Sequence, residues 1–174
     1  MSNPKTKFEV AARYGAFYGL ATIISMLIFY VLQFNLKSSL PSLISYVLLV
    51  VFIFNGVKSY REHSLGGYIS YSSSLGLGVL ISIFGGFLIA GWTTILFSFI
   101  DPDIIEKILS STQEELMKSG LSDADVEQAL NMSKKFMTPG WLFFLSIVGS
   151  AMMGFIFSLF VSIFTRKEAP PFNH

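Results

Sequence analysis

The chain has no cysteine. That excludes disulfides, thiolate metal sites and a cysteine nucleophile. Charge is also scarce, at 13% of residues against the quarter usual in soluble domains. The scarcity is concentrated: residues 14–36, 40–57, 66–100 and 138–165 contain no Asp, Glu, Lys, Arg or His. Proton- or ion-coupled transport generally needs an ionisable side chain within the membrane, and these stretches offer none. The net charge of +1 provides no basic field for nucleic acid. The two histidines, His63 and His174, are far apart in sequence. His63 has only Glu62 beside it, whereas a metal site needs three or four ligands. No nucleophile–base pair can be assembled, so the expectation is no catalytic, cofactor or metal residues and no enzymatic activity.

What is present is apolar length. Half the residues are hydrophobic (52%) and mean hydropathy is +0.62. Each uncharged stretch is long enough to cross a bilayer as a helix, which takes roughly 20 residues. The reading is an all-α integral membrane protein: a single domain over residues 1–174, with spans near 11–34, 40–57, 75–99 and 141–165. Lys5, Lys7 and Arg13 precede the first run much as in a signal peptide, but the run is too long for one and ends in Gln33-Phe34-Asn35-Leu36. It is read as a retained helix. Lys37, Ser38 and Ser39 form a turn, and Pro41 suits the first turn of the second helix. Lys58 to His63 follow that helix, and Gly66-Gly67 break the chain. Tyr68 to Ser74 are placed at the interface ahead of the third span, which Asp101 and Pro102 stop. The Pro170-Pro171 tail is read as disordered.

Residues 101–138 are water-compatible and are expected to fold as a soluble helical hairpin between spans three and four. Ile104, Ile105, Ile108, Leu109 and Leu116 recur at helical spacing. Gly120 breaks that helix, Ser122 with Asp125 resembles a capping box, and Val126, Leu130 and Phe136 form a second stripe. Asp101 and Asp103 read as a helix stop and cap rather than a cation site. Pro139 and Gly140 form the hinge back into the membrane.

Positive charge sets the topology. Lys5, Lys7, Arg13, Lys58, Arg61, Arg166 and Lys167 fall on one side; Lys37, Lys107, Lys118, Lys134 and Lys135 fall on the other. The count of seven against five places both termini in the cytoplasm and the hairpin outside. Arg13, Lys58, Arg61, Arg166 and Lys167 are membrane-interface residues, ready to meet anionic head groups of the lipid bilayer. Tyr60, Tyr68, Tyr71, Trp92 and Trp141 suit interfacial belts, although Trp92 lies deeper than a belt requires and also reads as packing in the bundle.

Two ladders of small residues stand out. Ser74, Gly78, Ser82, Gly86 and Ala90 fall four apart in the third span; Ser146, Ser150, Gly154, Ser158 and Ser162 do so in the fourth. Small residues at this spacing let helix backbones approach in lipid. Each four-residue step rotates about 40° around the axis, so only two or three rungs can serve one crossing. The ladders read first as packing within one chain and second as a homodimer seam. Ala11, Gly15 and Gly19 make a shorter ladder in the first span. Asn55 reads as an interhelical bond or a helix end near the interface.

Several of these runs resemble a known family. They are Arg13-Tyr14-Gly15 through Gly19, Lys58-Ser59-Tyr60-Arg61, Gly67-Tyr68-Ile69-Ser70-Tyr71, Gly76-Leu77-Gly78 and Asp101-Pro102-Asp103. With the acidic insert and the Gly/Ser-rich last helix, they resemble the bacterial membrane family catalogued as domain of unknown function 4199. That resemblance implies a four-helix inner-membrane protein and carries over no catalytic or ligand residue. The function expected is interaction with a membrane or extracytoplasmic protein, or with lipid, through the outer hairpin. The alternative is a subunit of a small oligomeric transporter or channel.

Overall fold

The computed structural model describes residues 5–33 and 38–167. Phe34, Asn35, Leu36 and Lys37, which close the first span and form the turn in the sequence reading, lie outside the described residues, as do the Pro170-Pro171 tail and His174. Six α-helices account for nearly all of the rest: α1 (Lys7–Val31), α2 (Leu40–Ser64), α3 (Tyr71–Ile95), α4 (Asp103–Lys118), α5 (Asp123–Phe136) and α6 (Pro139–Thr165). One π-helical turn, Leu96–Ile100, continues α3. Four of these helices, α1, α2, α3 with its π turn, and α6, are long and apolar enough to cross a membrane, the mark of a multi-pass membrane protein.

Local chemistry explains the helix ends. Thr6 caps α1 in a reciprocal box: the Glu9 amide donates to Thr6 Oγ1 at 3.2 Å and the Thr6 amide donates to Glu9 Oε2 at 2.9 Å. Helix α1 therefore starts before the uncharged stretch, and Lys7 and Arg13 ride on its first turns. Pro41 sits in the first turn of α2. That helix continues past Val57 to Ser64, so Lys58 to His63 lie on its last turns rather than in a loop. Gly66 and Gly67 then reverse the chain at φ +64° and +95°, values that suit glycine. Helix α3 begins at Tyr71, so Ser72 to Ser74 belong to its first turn. The length of the third uncharged stretch is accounted for by this loop plus a 30-residue helical run to Ile100. Its last turn is wound wider, with the Asp101 amide donating to the Leu96 carbonyl at 2.9 Å. Ser122 caps α5, accepting from the Asp125 amide at 3.3 Å. Pro139 and Gly140 open α6.

The chain forms two compact units, residues 1–89 with 147–174, and residues 90–146. The core of the first holds Val10, Ala11, Tyr18, Leu49, Ile53, Val57, Ile69, Leu77, Ile81 and Val161. Large apolar side chains such as Val31 and Phe164 stay more than 70% exposed, as helices surrounded by lipid require. In the second unit, Ile104 of α4 and Val126 of α5 are buried.

Candidate functional site

The small-residue ladders meet within the chain. A β-carbon added to Gly78 would collide with the Ser158 side chain and stand 2.9 Å from Ile53 Cγ2. One added to Gly154 would collide with the Ser82 side chain. The next rung is a hydrogen bond. Thr165 Oγ1 donates back to the Val161 carbonyl at 2.9 Å, so Ser74 Oγ, 2.8 Å away, is the donor to Thr165. Residues 74, 78 and 82 of α3 thus face 165, 158 and 154 of α6, running antiparallel. Ser82 satisfies its hydroxyl on its own helix, donating to the Gly78 carbonyl at 2.9 Å. Of the remaining rungs, Gly86 and Ala90 are buried and Ser150 is half-buried.

A second seam joins α1 to α3. Gly15 lies against Ile81, Phe84 and Gly85; Gly19 lies against Gly85 and Leu88; Tyr18 packs onto Gly85. Gly56 of α2 sits against Tyr14 and Ile81. Helix α3 therefore touches α1, α2 and α6, and glycine or serine stands at every one of these close approaches.

At one end of this unit the polar groups gather. The Arg61 guanidinium donates to the Thr165 carbonyl at 2.9 Å and reaches Glu62 at 3.2 Å. Thr165 ends α6, where carbonyls lack helical partners and the helix dipole is negative, so a cation fits there. Ile69 and Lys167 exchange two backbone hydrogen bonds, at 2.9 and 3.0 Å. The Tyr71 hydroxyl donates to the Leu159 carbonyl at 3.3 Å, and Lys167 Nζ lies 5.7 Å from the Tyr68 ring centroid. This clasp ties the end of α6 to the loop between α2 and α3.

The structure brings two of the sequence-read interface residues, Arg61 and Lys167, into the clasp. The other three, Arg13, Lys58 and Arg166, are exposed, with Arg13 5.7 Å from the Phe17 ring. Thr165 is the residue that sequence reasoning missed; it sits at the end of an apolar run with no local signal of its role. Asn55 makes no interhelical bond, and α2 runs on past it to Ser64. It is exposed, and its amide donates to the Val51 carbonyl of its own helix at 2.8 Å. Arg61→Ala is expected to cost about 1 kcal/mol of stability, the scale of one charge-assisted hydrogen bond partly open to solvent. Arg166→Ala is expected to leave stability unchanged. Equilibrium unfolding in mixed micelles checks both.

In the second unit an open cleft of about 530 Å³ runs between α4 and α5. Ile105, Leu109 and Leu130 supply its apolar lining, and Glu106, Gln113 and Lys134 supply polar groups. Asp101 pairs with Lys107 at 3.4 Å beside the start of α4. His63 Nδ1 lies 3.0 Å from the Ser59 carbonyl of its own helix. Among the described residues, no three of His, Asp and Glu gather as metal ligands.

No curated protein and no solved structure matches the chain. A family model does, over residues 13–167. It covers α1 from Arg13 onward, the other three apolar helices, the clasp and the α4–α5 segment, and every run of residues on which the resemblance rests falls within it. The chain belongs to the family described as Protein of unknown function (DUF4199).

Proposed function

We propose that this is a non-enzymatic protein of the bacterial inner membrane, a four-helix bundle with both termini in the cytoplasm. Its working surface is the α4–α5 segment, a helical hairpin on the outer side that engages a protein partner or lipid. The cleft between α4 and α5 carries this reading. Ile105, Leu109 and Leu130 are only half-buried there, and apolar side chains lining an open cleft on water-facing helices are suited to covering by a partner. Both helices are amphipathic, with apolar stripes of the kind that receive another helix or an extended peptide. The charged candidates elsewhere have structural employment: Arg61 caps α6, and Asp101 pairs with Lys107. The orientation rests on the basic residues of the α1 start, the α2 end and the α6 end, which outnumber those on the opposite side.

The test is site-directed photo-crosslinking in native membranes. A photoreactive residue replacing Gln113, inside the cleft, is expected to give a protein adduct of defined mass. The same residue replacing Glu127, which is exposed and outside the cleft lining, is expected to give none. Adducts to bulk lipid alone from both positions, together with a silent deletion of residues 103–136, would overturn the proposal.

A further inference from the structure

The junction of α5 and α6 carries an aromatic stack that the cleft does not use. Phe136, the last residue of α5, lies 5.7 Å from Trp141 between ring centroids, with the planes at 71°. Trp141 lies 6.0 Å from Phe144 at 78°. Both contacts are edge-to-face, the arrangement aromatic quadrupoles favour. The stack is not covered: Phe136, Trp141 and Phe144 are 45%, 48% and 55% exposed. Lys134 and Lys135 directly precede it, and both are exposed.

The position of this stack limits what can cover it. Helix α6 opens at Pro139 and is one of the four helices long enough to span. Trp141 and Phe144 are its third and sixth residues, so they sit within roughly 8 Å of its start along the axis. Phe136 lies just before that start. Rings at this level of a span meet the boundary between head groups and hydrocarbon, where the indole N–H finds water while the ring body finds lipid. The two lysines lie on the water side of that boundary, where the phosphates of anionic lipids concentrate.

We infer that Phe136, Trp141 and Phe144, with Lys134 and Lys135, form a membrane-docking surface that seats the end of α5 in the head-group layer of an anionic phospholipid bilayer. The rings supply apolar contact and the lysines supply charge complementarity. The end of α5 is then held at the bilayer surface, next to a cleft whose lining includes Lys134. The inference rests on the reading that α6 spans, but not on any partner for the cleft.

The chain has only two tryptophans, so Trp92→Phe leaves Trp141 as the sole tryptophan, excited selectively at the red edge where tyrosine does not absorb. Reconstituted in vesicles of phosphatidylcholine and phosphatidylglycerol, Trp141 is expected to be quenched about twofold more by lipids brominated near the head group than by lipids brominated near the bilayer centre. Lys134→Glu with Lys135→Glu is expected to raise its quenching by aqueous acrylamide about twofold in those vesicles, with no change in pure phosphatidylcholine. Should Trp92→Phe fail to fold, the unmodified chain and Trp141→Phe give the Trp141 signal by difference. Quenching of Trp141 by acrylamide as free as in the unfolded chain, or stronger quenching from the bilayer centre, overturns the inference. An equal effect of the double charge reversal in both vesicles overturns the role of the lysines. None of these readouts involves the Gln113 crosslink, so failure of the docking surface and failure of the cleft partner are separable.

Discussion

Gly154→Ala is expected to destabilise the protein by about 2 kcal/mol, and Ser82→Gly in the same chain to restore most of the loss. Alanine is the better helix former by about 1 kcal/mol, so a helix judged alone would gain from the change. The loss comes from the neighbour. The new methyl would enter the space of Ser82 Cβ and Oγ, and once those atoms are removed the nearest contact is Ser82 Cα at 3.8 Å, an ordinary van der Waals distance. Ser82→Gly alone is expected to cost about 1 kcal/mol, through added backbone freedom and lost contact. The two changes should therefore be strongly non-additive in a double-mutant cycle, read by equilibrium unfolding in mixed micelles. Additive losses would show that these two positions do not share a contact. A homodimer seam would give losses that fall with rising protein concentration; an intrachain seam gives losses independent of it.

The sequence made this seam legible as far as the physics of a helix allows. Small residues four apart announce close approach, and the 40° drift per step limits one crossing to a few rungs. Three rungs, 74, 78 and 82, meet α6. The pairing was harder to read, because the antiparallel register depends on where both helices begin. Helix α3 starts at Tyr71, within the Tyr- and Ser-rich run that composition assigned to the interface. The end of α2 was obscured similarly. Lys58 to His63 look like loop residues because they leave the apolar run, yet a helix emerging from the membrane loses nothing by continuing, and Arg61 and His63 in its last turn suit its dipole. Arg61 also shows what charge alone conceals. In the sequence it reads as a membrane-interface residue, but its partner, the Thr165 carbonyl, lies 104 residues away. The capping box at Thr6 and Glu9 follows a Thr-x-x-Glu pattern that the sequence reading passed over. The π turn at Leu96–Ile100 has no comparable local signature.

Gly15→Ala is expected to be the more damaging glycine substitution, at about 3 kcal/mol, and to resist rescue. A β-carbon on Gly15 would stand 2.5 Å from Phe84 Cβ, 2.7 Å from the Ile81 carbonyl oxygen and 3.1 Å from the Gly85 amide nitrogen. Two of those atoms belong to the α3 backbone, and the third is a β-carbon fixed to it. No truncation on α3 makes room, so the methyl can be admitted only by moving α1 away. That movement would also loosen Tyr18 from Gly85 and Gly19 from Leu88, contacts of the same seam. Phe84→Ala is expected to leave the Gly15→Ala loss undiminished, because alanine retains the obstructing β-carbon. Phe84→Gly is expected to recover only a small part, since the Ile81 oxygen remains. The contrast with Gly154 is the decisive comparison. Where a glycine faces a side chain, the partner can be trimmed to restore stability; where it faces backbone, it cannot. Substantial recovery of Gly15→Ala by Phe84→Gly in micelle unfolding would mean that α1 and α3 meet through side chains rather than main chains.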